Sequence, residues 1–103
     1  MKGASTMPTF VSLINWTDQG VANFKDTVRR SEDANRVASA MGGSLTEIFW
    51  TVGSYDLVTV ADFPDDASAT AFLLALGSVG NVRTTTLRAY TAEEMSQIIA
   101  KVG

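Results

Sequence analysis

The sequence predicts an α+β fold: a four-stranded antiparallel sheet with two helices on one face and a further helix at the C-terminus. Three observations point to it. Segments rich in β-branched and aromatic residues alternate with helical segments in the order strand, helix, strand, strand, helix, strand. Glycine, proline or a capping residue punctuates nearly every junction. Both parities of the first and third strands are apolar, as expected when each sheet face is covered.

Thr9 to Trp16 (TFVSLINW) has the composition of a strand. Thr17 is suited to cap a helical turn beginning at Asp18, because its hydroxyl can accept a hydrogen bond from a backbone N–H two or three residues on. Gly20 weakens a continuous helix, so a short turn is expected near Asp18 to Phe24 and the main helix from about Thr27 to Met41. Val28, Ala34, Val37, Ala38 and Met41 form its apolar stripe, and Arg29, Arg30, Glu32, Asp33 and Arg36 are expected to face water. Gly42 and Gly43 end it. Ser44 to Val52 and Tyr55 to Phe63 are the second and third strands, joined by a tight turn at Gly53-Ser54. Pro64-Asp65-Asp66 opens the second helix, which is expected to run to about Leu76 and stop at Gly77. Val82 to Tyr90 is the fourth strand. Thr91 and Glu94 then form a capping box, starting a helix with Met95, Ile98, Ile99 and Val102 on one face. Met7-Pro8 has the look of a natural start. Residues 1–6 are therefore expected to be a disordered extension, 7–90 the sheet-and-helix domain and 91–103 the C-terminal helix.

At 103 residues the chain has room for about one domain with a modest core. Its hydrophobic share of 46% and charged share of 18% are those of a globular protein. The net charge is −3 and the basic residues are scattered, which argues against nucleic acid as a partner. No cysteine is present, so disulfides and thiolate chemistry are excluded. No histidine is present either, which removes the usual neutral-pH base and most zinc and haem ligation. No metal or cofactor is expected. The longest apolar run, Ala69 to Leu76, is too short to span a bilayer. A cytoplasmic location is the expectation.

The element order fits a ferredoxin-like βαββαβ sheet whose spatial strand order is four, one, three, two. Both helices would lie on one face and leave the other open. Phe10, Ile14 and Trp16 share one parity of the first strand, Val11 and Leu13 the other; Val58 and Val60 oppose Leu57 and Ala61 in the third. An open face this apolar calls for a cover. A second copy packed sheet to sheet is the simplest, giving a dimer or higher oligomer; the C-terminal helix folding over the sheet is the alternative. The same topology gathers residues at one rim. Asn15, Trp16 and Thr17 end the first strand beside Tyr55 and Asp56 and beside Arg83 and Thr84, with Trp50 and Thr51 near. Convergent polar groups with apolar walls are the default site for a small ligand.

The segments Ile14-Asn15-Trp16-Thr17-Asp18-Gln19-Gly20, Trp50-Thr51-Val52-Gly53-Ser54-Tyr55-Asp56, and Gly80-Asn81-Val82-Arg83-Thr84-Thr85-Thr86-Leu87-Arg88-Ala89 resemble the GYD-domain family. Gly53, Tyr55 and Asp56 match the residues that give the family its name, and the resemblance runs from Met7 to about Met95. It implies a member of the dimeric α/β-barrel superfamily. That superfamily includes cofactor-free oxygenases, isomerases, cyclases, haem enzymes and ligand-sensing regulators, so the resemblance selects no activity. The missing histidine sets this chain furthest from the haem members.

Each rim residue has two readings. Asp56 is either an acid–base group or an acceptor for backbone N–H groups of the adjoining turn. Tyr55 either orients a substrate oxygen or packs in the core with its hydroxyl at the rim. Arg83 either clamps an anion or pairs with a carboxylate such as Asp56. Thr84, Thr86 and Arg88 share one parity of the fourth strand; they line a cavity if that parity faces the open side of the sheet and are ordinary strand residues if it does not. Trp16 and Trp50 are packing residues or pocket walls. Three functions compete: a small-molecule-binding oligomer; a cofactor-free isomerase, cyclase or lyase acting on a small organic acid, ketone or phenol through Asp56, Tyr55 and Arg83; and a purely structural oligomer.

Overall fold

In the structure, a computed structural model that describes residues 7–103, the elements come in the expected order. They are β1 (Thr9–Trp16), α1 (Asp18–Ala22), a 3-10 turn (Phe24–Asp26), α2 (Thr27–Ala40), β2 (Ser44–Trp50), β3 (Leu57–Asp62), α3 (Asp66–Ser78), β4 (Val82–Ala89) and α4 (Ala92–Ala100). The extension expected over residues 1–6 lies outside the described residues.

The strands form one antiparallel sheet in the order β2-β3-β1-β4, the ferredoxin-like arrangement. β1 is central, with Ser12 opposite Thr59 on one side and Thr86 on the other. β4 runs beside β1 in unbroken register, whereas β2 carries a bulge between Leu45 and Glu47.

Local chemistry explains most element ends. Thr17 caps α1 by accepting the Gly20 N–H at 3.1 Å. Its own hydroxyl donates to the Gly80 carbonyl at 2.5 Å, and its N–H donates to the Asn81 carbonyl at 3.1 Å. Gly20 is needed here for space, since a Cβ would sit 1.9 Å from the Asn81 oxygen. Asp65 caps α3 by accepting the Ser68 N–H at 2.7 Å, a bond that holds its carboxyl below the usual range. Thr91 and Glu94 make the reciprocal capping box of α4.

Two boundaries differ from expectation. β2 and β3 are not joined by a two-residue turn at Gly53-Ser54. Their pairing closes at Thr51, whose N–H donates to the Asp56 carbonyl at 2.9 Å and whose hydroxyl donates to the Tyr55 carbonyl at 2.6 Å. The loop is longer because the Asp56 N–H is taken by β1, donating to the Ile14 carbonyl at 2.8 Å. α3 also runs through Gly77. Its stop is Gly80, which holds the left-handed φ of +91° that a helix terminus uses.

The core lies between the sheet and α2 and α3, toward the end where β1 begins. Ala38, Ala61, Phe63, Ala69 and Phe72 form it, with Phe10, Met41, Leu45, Leu73 and Leu76 around them. Phe63 is 2% exposed and its ring centre lies 5.2 Å from that of Phe72. Burial of such a side chain contributes about 2 kcal/mol. The stripe expected on α2 is narrower than its sequence suggests. Ala38 is sealed and Ala34 and Met41 pack, but Val28 is 57% exposed, because α2 meets the sheet along its small residues. Arg30, expected to face water, is half-buried and donates to the Asn23 carbonyl at 2.6 Å and the Gly20 carbonyl at 3.1 Å. Asp33 is also half-buried and pairs with Arg29 and Arg36.

α4 does not fold over the open sheet face. It extends from the end of β4, with Met95, Ile99 and Val102 exposed. The radius of gyration of 14.9 Å reflects this arm; a compact chain of this length has about 13 Å.

Candidate functional site

The candidate residues are divided between the two faces of the sheet and the loops at its rim. Residues opposite one another in an antiparallel pair share a face. Trp16 pairs with Val82, Ile14 with Thr84 and Leu57, Ser12 with Thr86, and Phe10 with Arg88. Thr84, Thr86 and Arg88 therefore lie on the helix side, as do Trp16 and Trp50, so these three β4 residues do not line a cavity on the open face. Asn15 and its partner Arg83 lie on the open side. Thr17, Tyr55 and Asp56 sit in the loops at the rim between them.

Most of these side chains have structural partners. One carboxylate oxygen of Asp56 accepts the Trp16 N–H at 2.9 Å, extending the β1–β3 ladder by one bond. The acceptor reading thus has a partner, though on β1 rather than in the adjoining turn. Arg83 makes no ion pair with Asp56. Thr17 is fully engaged in the contacts described above. The Trp50 indole donates to the Thr27 hydroxyl at 2.9 Å, tying β2 to the start of α2. Thr86 shares a 2.8 Å hydrogen bond with Ser12. Arg88 lies at the opposite end of β4, its guanidinium 4.5 Å from the centre of the Tyr90 ring and 5.7 Å from that of Phe10. It belongs to another end of the molecule than Asn15, Tyr55, Asp56 and Arg83.

Two features emerge that no single rim residue announces. The first is the open sheet face. Val11 and Leu13 of β1 and Val58 and Val60 of β3 occupy its centre, with Phe49 of β2 (54% exposed) and Leu87 of β4 (49% exposed) beside them. The second is a cavity of about 220 Å³ on the helix side, between the sheet, the first half of α2 and the last half of α3. The phenylalanine core fills the other half of this layer. Here the sheet offers Ser12 and Thr59, and the helices offer Ser31, Ala34 and Ala75, none large enough to fill the space. Ile14, Trp16, Leu57, Phe72 and Leu76 complete the walls.

Ser12, Thr59 and Arg30 join the candidates only through the structure. The signal for the first two is present in the sequence as hydroxyl residues at core-facing positions, Ser12 between Phe10 and Ile14 and Thr59 between Leu57 and Ala61. Among the described residues no cluster of acidic side chains could hold a metal ion, and no helix is long and apolar enough to cross a membrane.

A family model described as the GYD domain matches residues 10–99. A Thermus thermophilus protein named glutamine synthetase and cystathionine beta-lyase binding protein is 30% identical over 90 residues, covering 86% of this chain and 95% of its own. The crystal structure of TTHA0845, also from Thermus thermophilus, superimposes with a TM-score of 0.54 at 23% identity, over 84% of this chain and 96% of that one. The C-terminal domain of the MgtC protein from Mycobacterium tuberculosis does so with a TM-score of 0.50 at 15% identity, over 89% and 99%. These two structural likenesses concern the fold.

Proposed function

We propose that this chain, which belongs to the GYD domain family, is an oligomeric binding domain whose copies pack sheet face against sheet face and each hold a small molecule. The observation that carries the reading is the uncovered face of Val11, Leu13, Phe49, Val58, Val60 and Leu87. Apolar surface gathered in one patch gains from leaving water, and α4 leaves it bare. A second copy supplies the same surface, so a twofold contact is self-complementary. Asn15 and Arg83 edge this face and would border the contact. The absence of cysteine suits a cytoplasmic protein.

A second reading has its own support. The Thermus thermophilus relative is named for binding two enzymes, and an apolar sheet face can dock other proteins equally well. The proton-transfer reading of Asp56, Tyr55 and Arg83 ranks lower, since the Asp56 carboxylate already holds the Trp16 N–H.

Leu13→Arg tests the principal reading by placing a charge at the centre of the face. In sedimentation velocity the wild-type chain is expected to run as a dimer or larger species. The variant should run as a monomer with an unchanged circular dichroism spectrum. A wild-type monomer at high concentration would overturn sheet-to-sheet assembly.

A further inference from the structure

The cavity between the sheet and the helices has the size and lining of a ligand site, and we propose that it takes a monocyclic phenol or aryl ketone. The proposal rests on the binding-domain reading and supplies its ligand class.

Size comes first. A dry engineered cavity of about 150 Å³ holds benzene, so about 220 Å³ holds one ring with a short substituent. Ile14, Leu57, Phe72 and Leu76 are the walls such a ring needs.

The polar group is equally specific. Thr59 lines the cavity, is 7% exposed, and its hydroxyl has no hydrogen-bond partner among the described residues. Among those residues no sealed polar side-chain atom lacks a partner, so this hydroxyl is one that the cavity reaches. Ser12, also 7% exposed, is already paired with Thr86. The Thr59 hydroxyl thus presents one donor and one acceptor to whatever occupies the cavity. A phenolic O–H donates to it or accepts from it, and a ketone oxygen accepts from it.

Arg30 stands at the α2 side of the cavity with two of its N–H groups on the Asn23 and Gly20 carbonyls. No carboxylate of the described residues pairs with it. Two of its five N–H groups are thus held by backbone, and of the hydroxyls that line the cavity those of Ser12, Thr27 and Ser31 have partners while that of Thr59 has none among the described residues. The sequence departs from core logic at this place: a chain short of buried apolar volume keeps Ser12, Ala34, Thr59 and Ala75 around a void. Filling a void normally stabilises a small domain.

The test uses the full chain and two probes of equal shape, 4-ethylphenol and 4-ethyltoluene, each titrated by NMR. 4-Ethylphenol is expected to shift the Thr59, Ile14 and Trp16 indole resonances saturably. It should bind roughly fivefold more tightly than 4-ethyltoluene, the worth of one hydrogen bond. Thr59→Val keeps the shape and removes the hydroxyl, so the preference should vanish while both probes still bind. Ala34→Leu should fill the cavity and abolish binding of both. Shifts mapping to Val11, Leu13 and Phe49 would overturn the proposal, as would a phenol preference surviving in Thr59→Val. Sedimentation of the same samples reports assembly separately, so a monomer that still binds 4-ethylphenol would refute the oligomer and leave the cavity site standing.

Discussion

Removing the Asp56 side chain separates its structural role from a chemical one. Its carboxylate accepts the Trp16 N–H at 2.9 Å, where both residues are half-buried. A hydrogen bond to a charged acceptor contributes about 1.5–3 kcal/mol, and the abandoned N–H adds to the loss. Asp56→Ala is therefore expected to cost about 2 kcal/mol. For a domain of this size each kcal/mol moves the melting point by roughly 4–8 °C, so Tm should fall by roughly 10 °C. Asp56→Asn keeps an oxygen in place and loses only the charge assistance, so it should cost about 1 kcal/mol or less. Thermal unfolding by circular dichroism measures both, at one fixed protein concentration because assembly shifts apparent stability. A melting point for Asp56→Ala within about 2 °C of wild type would refute the structural role.

Two other substitutions probe the joints of the fold. Gly20→Ala would place a Cβ 1.9 Å from the Asn81 carbonyl and force apart the segments joined by the Thr17 N–H and hydroxyl. It should cost about 3 kcal/mol, read as a lower urea midpoint at unchanged m-value; a midpoint equal to wild type would contradict the contact. At Asp65 the bond from the Ser68 N–H favours the ionised form and lowers its pKa from the ordinary 3.8. The charge then stabilises fully above that ordinary value and loses its effect as the pH falls through the lowered folded value. Wild type should exceed Asp65→Asn in stability at neutral pH, with the gap closing in acid; a gap independent of pH would count against the carboxylate as its source.

The bounds of β1 and the caps at Thr17 and Thr91 are legible in the sequence because they depend on local chemistry and short-range pattern, and strand order is legible because the succession of elements fits one common topology. The face each strand residue occupies is not. Facing is read from alternation, and β1 alternates phenylalanine and isoleucine with valine and leucine rather than with polar residues. Hence the sequence places Thr84 and Thr86 along β4 but not on a side, and it groups Arg88 with a rim that this residue does not share. Gly77 is a false stop for α3 because a glycine continues a helix at modest cost, whereas Gly80 is required by its positive φ. The cavity is hidden for a different reason: a void is set by how far α2 and α3 stand from the sheet, and Ser12, Ala34 and Thr59 look ordinary until those distances are known.

The two outer strands of the sheet are unlike. β2 is kinked by its bulge between Leu45 and Glu47, and the Thr46 hydroxyl is turned onto the Val60 carbonyl at 3.1 Å. Such a bulge twists a strand away from further pairing. β4 keeps eight residues in regular register with a row of outward N–H and C=O groups. A particle with two adhesive borders polymerises without limit; one with a single border has a valence of one, and any backbone-to-backbone growth along β4 ends once two chains have met. By this logic the kink in β2 would limit strand-to-strand growth to a pair of chains.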